Sequence, residues 1–333
     1  MLPSFQLLRP ERLSDALAAL SADPEGSMLI AGGTDLLPNM KNGLHSPARL
    51  ISLRHIPELR EIRETEDGGV VLGAGCSLAT LASHPLVVHR YPALAQAARL
   101  VASPQIRNMA TLGGNVCLDT RCIYYNQSAF WRDALGHCLK KDGTVCHVVP
   151  KGQSCVAAMS ADTPTALLSF DARVCLASAR GERRCDLDSF YVNDGARNTV
   201  RSADEMVVAL ELPAADPRCL SSYHKLALRK SIDFPLLSIA LTLRKDENGA
   251  VADIRLAIGA IASRPRLVRG LREICRGRPV GTALVAEVAT AARQQCHPLL
   301  NLATDPAWRR DVLEVSVRRA FSDLAPSAGS EVP

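Results

Sequence analysis

The sequence lacks the features of a membrane or secreted protein. No run reaches the roughly 18 apolar residues that a membrane-spanning helix needs. The first residues meet the charges of Arg9, Glu11 and Arg12 before any apolar segment of signal-peptide length. Polybasic runs are also missing, and 39 Lys and Arg against 34 Asp and Glu leave a formal net charge of only +5. These absences predict a cytoplasmic protein that binds neither membrane nor nucleic acid.

The composition is that of a folded protein with several domains. The chain has 333 residues, 47% of them hydrophobic and 22% charged, which predicts two or three domains with substantial cores. Eleven cysteines are present. In a reducing compartment an odd number of cysteines indicates ligands and small buried residues rather than disulfides.

Five of these cysteines lie close together in the middle of the chain, namely Cys117, Cys122, Cys138, Cys146 and Cys155. The last four have the spacing C-x15-C, C-x7-C and C-x8-C, without the C-x-x-C pairs typical of zinc ribbons. His137 and His147 each adjoin a cysteine and are candidate zinc ligands. On the residues alone, a zinc site, an iron–sulfur cluster and no metal are equally open. Cys117 is predicted to be a core or cofactor-proximal residue.

Two glycine pairs suggest an anion site. Residues 28–31 form an apolar strand that runs into Gly32-Gly33-Thr34-Asp35, and a helical turn follows at residues 36–41. A second pair lies in Thr111-Leu112-Gly113-Gly114-Asn115. Glycines at such turns let bare backbone N–H groups approach a phosphate, and two such loops can hold a diphosphate from two sides. Two unrelated tight turns are the alternative.

Hydrophobic periodicity predicts the remaining elements. Further strands are expected at residues 5–8, 50–53, 70–74, 167–170, 172–177, 206–213, 238–243 and 253–258. Further helices are expected after Pro10 and at residues 92–101, 280–295 and 308–321.

Three motifs together resemble the FAD-binding subunits of the xanthine dehydrogenase family of molybdenum enzymes. They are residues 30–36, residues 106–115 and Ala161-Asp162-Thr163-Pro164, and the likeness continues at residues 223–229 and 254–266. The resemblance implies an α+β protein. A two-part FAD-binding domain related to vanillyl-alcohol oxidase is expected at residues 1–55 and 56–218. A small α+β domain of the CO dehydrogenase flavoprotein type is expected at 219–326, with a frayed tail at 327–333.

The resemblance also implies which residues contact FAD. Asp162 is among them, with a helix N-cap before Pro164 as its other expected role. The full set is Leu29, Ile30, Ala31, Gly32, Gly33, Thr34, Asp35, Leu36, Val101, Ala102, Thr111, Gly113, Gly114, Asn115, Asp162, Val207 and Lys225. No residue of this chain is expected to act on the substrate itself.

Residues 117–159, called here the cysteine insertion, depart from the usual pattern of that family. Its common members have only a short turn between Gly-Gly-Asn and the Asp162 motif. A flavin subunit with such an insertion resembles the beta subunits of 4-hydroxybenzoyl-CoA reductases, which carry a [4Fe–4S] cluster besides FAD. The ligands that match are Cys122, Cys138, Cys146 and Cys155.

The function implied is electron transfer within a larger enzyme. Reduced ferredoxin would supply electrons through [4Fe–4S] and FAD to molybdenum, where 4-hydroxybenzoyl-CoA is reduced to benzoyl-CoA. Partner subunits would carry the molybdenum cofactor and two [2Fe–2S] clusters, in a hetero-oligomer such as a dimer of heterotrimers. The alternatives are the FAD subunit of another xanthine, CO or aldehyde dehydrogenase-type enzyme, and a zinc-stapled scaffold without a redox role.

Overall fold

The computed structural model describes residues 2–324, which form three sheets. The first is a parallel sheet of three strands in the order β1-β3-β2. Its elements are β1 (Gln6–Leu8), α1 (Leu13–Ala22), β2 (Ser27–Ile30), α2 (Leu36–Lys41) and β3 (Arg49–Ser52). The helix α1 buries Ala16 and Leu20 against Ile51 of β3, so the crossover from β1 to β2 covers the sheet with a helix. The turn after β2 consequently lies at the carboxyl edge of this sheet.

The second sheet is antiparallel and has the order β4-β5-β8-β6-β7. Its strands are β4 (Ile62–Glu64), β5 (Val70–Gly73), β6 (Arg173–Ser178), β7 (Gly181–Asp186) and β8 (Met206–Leu212). A 3-10 turn spans Pro57–Arg60. Most of the helices lie between β5 and β6: α3 (Leu78–Ser83), α4 (Pro85–Arg90), α5 (Pro92–Arg99), α6 (Pro104–Met109), α7 (Leu112–Val116), α8 (Ala129–Leu135) and α9 (Thr163–Ser169); α10 (Leu187–Phe190) follows β7. They bury the largest core of the protein against this sheet.

The third sheet is antiparallel, in the order β12-β11-β10-β9. Its elements are β9 (Cys219–Leu226), β10 (Leu237–Lys245), β11 (Val251–Gly259), β12 (Arg266–Leu267), α11 (Leu271–Cys275), α12 (Thr282–Gln294) and α13 (Pro306–Ser322). Alternate residues of β10, including Ile239 and Leu241, pack with Leu284 and Val288 of α12 and Leu313 of α13 in a separate core. The other face of this sheet, with Ala240 of β10 and Ala257 of β11, packs into the core of the second sheet, so helices cover both faces.

One predicted element is wrong. Residues 167–170 were expected to form a strand, but they belong to the end of α9 and the residue that follows it. Every residue of α9 is buried, because α5 and the strands β10 and β11 pack around it. A helix that is apolar all round has no 3.6-residue pattern, so a short apolar run within it resembles a buried strand. The other predicted strands and helices overlap the observed ones.

The mixed helix and sheet architecture confirms the predicted α+β class. The domain boundaries at residues 55 and 218 remain predictions, and the predicted tail at 327–333 lies outside the described residues. No helix within residues 2–324 combines the length and the apolar character needed to cross a bilayer.

Candidate functional site

A cavity of about 580 Å³ opens between the first sheet and the helices of the second. This volume is within the range of small-molecule and cofactor sites. All but one of the predicted FAD-contacting residues line it: Leu29, Ile30, Ala31, Gly32, Gly33, Thr34, Asp35, Leu36, Val101, Ala102, Thr111, Gly113, Gly114, Asn115, Asp162 and Val207. The structure therefore brings segments that are far apart in the sequence to a single cavity.

The first glycine turn presents unused backbone donors to this cavity. Among residues 2–324, no protein acceptor is hydrogen-bonded to the N–H groups of Gly32, Gly33 or Thr34. Gly33 has φ = +69°, a left-handed conformation that glycine adopts without strain. A Cβ on Gly32 would lie 2.0 Å from the carbonyl oxygen of Met109, so only glycine fits there. Consecutive free amides in such a turn form a concave anion site.

The second glycine segment has a different local structure from the one predicted. Gly113 and Gly114 belong to α7 and are not in an open loop. The Gly113 N–H donates to the Ala74 carbonyl at 2.8 Å, and the Gly114 N–H donates to Thr111 Oγ1 at 3.1 Å. The prediction that both loops offer bare N–H groups is therefore wrong for this one. Close packing explains the glycine at position 113, since a Cβ there would lie 2.7 Å from the Cβ of Ala74.

Asp162 and Lys225 form a buried ion pair at the edge of the cavity. The Lys225 ammonium lies 3.2 Å from the Asp162 carboxylate, and the two side chains are only 8% and 3% exposed. Tyr223 also donates its hydroxyl to Asp162 at 2.8 Å. Burial raises the pKa of Asp162 to about 6, although Lys225 and Tyr223 act in the opposite direction.

These contacts change the roles expected for the two residues. Asp162 occupies the N-cap position of α9 but makes no capping hydrogen bond with its side chain. Lys225 does not line the cavity; besides Asp162 it donates to the Leu100 carbonyl at 3.0 Å. Its charge is thus already engaged by protein acceptors.

Arg121 is the main cavity residue that the sequence analysis missed. Its guanidinium lies 2.9 Å from the Asp35 carboxylate and 4.1 Å from the centre of the Phe234 ring. Burial raises the pKa of Asp35, and Arg121 opposes this shift. Arg121 comes from the cysteine insertion and Phe234 from the loop before β10, so no local sequence pattern reveals the contact.

Asp119 is a second missed residue, and it connects the cavity with the cysteine insertion. Its carboxylate accepts from Lys140 at 2.6 Å and from the Tyr125 hydroxyl at 3.0 Å, and it lies 3.6 Å from His45. Burial disfavours the charged carboxylate, but His45 and Lys140 outweigh it and lower the pKa of Asp119 to about 2. The carboxylate therefore remains ionised at neutral pH.

The four predicted metal-binding cysteines lie near one another. Cys122 and Cys155 are buried in a small core with Leu44 and Tyr125. Burial raises the pKa of Cys122, and the neighbouring thiols of Cys138 and Cys146 raise it further. The pKa of Cys155 is raised to about 11 by burial, with contributions from Cys122 and Cys138.

The arrangement of these thiols is not that of a single-ion site. Across residues 2–324, no three His, Cys, Asp or Glu side chains are close enough together to hold one metal ion. His137 is bonded to Asp133 at 2.8 Å, and His147 contacts the Gly136 carbonyl at 2.9 Å. Cys117 lines the large cavity.

Comparison with known proteins yields consistent matches. Residues 3–215 match the family described as the FAD binding domain in molybdopterin dehydrogenase. Residues 222–324 match the CO dehydrogenase flavoprotein C-terminal domain.

Individual relatives match over most of the chain. The carbon monoxide dehydrogenase medium chain of Hydrogenophaga pseudoflava is 31% identical over 324 residues, which is 96% of each chain. The aldehyde oxidoreductase FAD-binding subunit PaoB of Escherichia coli (strain K12) is 34% identical over 262 residues, 75% of this chain and 80% of that one. The solved structure of Hydrogenophaga pseudoflava carbon monoxide dehydrogenase lacking the Mo-pyranopterin moiety superposes with a TM-score of 0.80 and 27% identity, covering 97% of this chain and 98% of the other.

Proposed function

The chain belongs to the FAD-binding medium subunits of the xanthine dehydrogenase and CO dehydrogenase family, and from this we propose that it passes electrons between FAD and an iron–sulfur centre in its cysteine insertion. FAD, when bound, supplies one- and two-electron chemistry and so connects a one-electron carrier with a two-electron reaction. The substrate would react on a partner subunit that carries the molybdenum cofactor. A further partner would carry [2Fe–2S] clusters.

FAD binding is best supported by the backbone N–H groups at the first glycine turn, which have no hydrogen-bond acceptor among residues 2–324. Gly32, Gly33 and Thr34 offer three consecutive N–H donors to a cavity of cofactor size. Backbone donors of this kind suit a diphosphate. We therefore assign the diphosphate of FAD to residues 32–34, with Thr111 and Asn115 on the facing side of the cavity.

Arg121 fits this assignment on electrostatic grounds. The Asp35 carboxylate follows directly after the free amides and would repel a diphosphate if it were unpaired. Arg121 neutralises it at 2.9 Å. A residue of the cysteine insertion thus contributes to the anion site, which links the insertion to FAD binding.

Gly32→Ala tests the FAD assignment. The added Cβ would collide with the Met109 carbonyl, and relief of such overpacking costs about 1–3 kcal/mol. We expect a folded protein with weakened FAD affinity, measured by flavin absorbance per chain after desalting. Gly281→Ala is the control, because a Cβ there would meet no atom within 4 Å. Full FAD occupancy in folded Gly32→Ala would contradict the assignment.

The iron–sulfur part of the proposal rests on the four cysteines. The Cys138 thiol lies near enough to raise the pKa of both Cys122 and Cys155, and Cys122, Cys146 and Cys155 are buried. Four thiolates are the donor set of a [4Fe–4S] cluster. Cys122, Cys138, Cys146 and Cys155 would hold it.

Metal analysis of Cys146→Ser tests this part. Anaerobically purified wild-type chain should contain about four irons, the number in a Cys-ligated [4Fe–4S] cluster. Cys146→Ser should lose the iron and keep its FAD, because the glycine turns lie outside the cysteine insertion. Cys185→Ser, which changes a half-buried thiol in β7, is the control. Stoichiometric zinc in the wild type would favour the scaffold alternative.

Two directions of electron flow fit a FAD and iron–sulfur subunit equally well. An additional centre in the cysteine insertion favours entry of low-potential electrons from reduced ferredoxin, as in reduction of 4-hydroxybenzoyl-CoA. The relatives named for carbon monoxide and aldehyde oxidation favour the opposite flow, from the molybdenum subunit through FAD to an acceptor. Two assays of the assembled enzyme separate these directions. Turnover of 4-hydroxybenzoyl-CoA with reduced ferredoxin would support electron entry, and turnover of an aldehyde with an artificial acceptor would support the opposite flow.

A further inference from the structure

The cysteine insertion is attached to the C-terminal domain beside two of its buried cysteines, Cys122 and Cys155. Ile123, directly after Cys122, donates its N–H to the Asn301 carbonyl at 2.9 Å. The Asn301 side-chain amide donates to the carbonyl of Val156, directly after Cys155, at 2.6 Å. One residue therefore bridges the two segments that carry Cys122 and Cys155.

Asn301 is itself fixed by a buried arginine. Asn301 and Arg309 are both fully buried. Arg309, on α13, donates to the Leu299 carbonyl and lies 3.5 Å from Asn301 Oδ1. This contact turns the amide oxygen toward Arg309 and the amide nitrogen toward Val156. Within residues 2–324, Nε and Nη1 of Arg309 have no hydrogen-bond partner.

A second residue of the same domain supports the Cys155 segment. Ser263 donates its hydroxyl to the Cys155 carbonyl at 3.3 Å. On the opposite side, the Gly195 N–H donates to the same carbonyl at 2.7 Å. The backbone at Cys155 is therefore held from two sides. Its segment is also paired with the Cys122 segment by reciprocal backbone hydrogen bonds between Arg121 and Ala158, and Asn301 adds a second connection beside the two thiols.

We propose that Asn301 is a positioning residue that sets the separation of Cys122 and Cys155, with Arg309 orienting its amide. The inference rests on the proposed iron–sulfur function. Residues that hold metal ligands in place without touching the metal typically change metal affinity when they are replaced. The C-terminal domain thereby supplies part of the scaffold of the cysteine centre, although it contributes no ligand.

Asn301→Asp tests the inference. The substitution keeps the side-chain shape but replaces the donor to Val156 with a carboxylate oxygen that faces the same carbonyl. The other oxygen stays 3.5 Å from Nη2 of Arg309, whose positive charge offsets the new negative one. We expect the apparent iron affinity to fall about 10- to 100-fold, as is typical when such supporting residues are lost. It is measured as the chelator concentration that removes half of the iron from anaerobically purified protein. The electron paramagnetic resonance line shape of the reduced centre should change as well, with FAD content and thermal midpoint unchanged.

Gln295→Glu is the matched control. It is the same amide-to-acid change in the same domain, but the Gln295 amide donates to the Arg269 carbonyl. It should retain wild-type iron binding. Wild-type iron affinity and line shape in Asn301→Asp would overturn the inference, as would a parallel loss of FAD and thermal stability, which indicates a purely structural role. Wild-type protein without iron would instead refute the proposed cysteine centre itself, and the positioning role with it.

Discussion

At the scale of single residues, the buried pair of Asp162 and Lys225 shows how the site depends on distant parts of the chain. The motif around Asp162 indicates a cofactor contact, but its partners Tyr223 and Lys225 lie on β9, about sixty residues later. A buried ion pair gives little net stability, since removing two charges from water costs nearly what their attraction returns. Its effect is rather to fix α9 against β9 at the edge of the cavity.

The raised pKa of Asp162 predicts a pH-dependent stability. An unfolded Asp has a pKa near 3.9, and the folded value is about 6, so the native state binds the proton more tightly. The contribution of this group is fully present below about pH 4 and is lost as pH rises through about 6. Between pH 4 and 7 the unfolding free energy of the wild type should fall by about 2 kcal/mol relative to Asp162→Asn.

Chemical denaturation of the flavin-free chain at a series of pH values measures this difference. Asp171→Asn is the control, because its carboxylate is largely exposed and pairs with Arg255 at the surface. If the wild type instead gains unfolding free energy relative to Asp162→Asn as the pH rises, Lys225 lowers the pKa of the carboxyl more than burial raises it.

At the scale of elements, the sequence predicted those strands and helices whose structure is determined by residues close together in the chain. The strand β2, the glycine turn and α2 were predicted within one residue of their bounds, because an apolar run, two glycines and a helical turn specify them without distant contacts. The helix α9 was missed because its burial on all sides comes from α5, β10 and β11. The path of the cysteine insertion could not be predicted either, since its supports are carbonyls from other parts of the chain.

Arg132 of the cysteine insertion makes two of these contacts. It is 4% exposed and lies on α8, where it donates to the Asn42 and Gly43 carbonyls at 2.9 and 3.2 Å and also to the Gln127 carbonyl. Charge-assisted hydrogen bonds of this type contribute about 1.5–3 kcal/mol each. The outer side of the same short helix carries Phe130, which is 84% exposed. The buried arginine therefore anchors an element that would otherwise have little to hold it.

Arg132→Gln should loosen the cysteine insertion while leaving FAD bound. Because Phe130 is already exposed, cleavage beside it is limited by how readily α8 unfolds locally. We expect chymotrypsin to cut there faster in Arg132→Gln than in wild type, as followed by mass spectrometry of intact protein. Arg180→Gln, an exposed arginine paired with Asp204, is the control. An unchanged cleavage rate would show that α8 is held by its other contacts.

At the scale of the whole molecule, the cavity is the place where three parts of the chain meet. Residues 28–36 come from the first sheet, Thr111 to Arg121 from the second sheet's helices and the cysteine insertion, and Ile232 to Phe234 from the third sheet. The Arg121 contacts with Asp35 and Phe234 join all three. The sequence motifs identified the first two parts. The third is joined to them by the Arg121 cation–π contact and by hydrogen bonds from Ser231 and Ile232 to the Ala102 carbonyl, which no motif encodes.

Removal of FAD should therefore loosen all three parts together. A ligand stabilises the folded state by mass action, by about 2.7 kcal/mol at 100 times its Kd. Hydrogen exchange of flavin-free and FAD-loaded protein should show lower protection without FAD at residues 28–36, 111–121 and 225–234. The helix α12, which packs in the separate core of the third sheet, serves as the internal reference and should change less than these three segments. Because Arg121 joins the three parts, Arg121→Gln should restrict the effect of FAD to the first two. Loss of protection confined to residues 28–36 in the wild type would mean that FAD contacts only the glycine turn, and that the cysteine insertion and the C-terminal loop are independent of it.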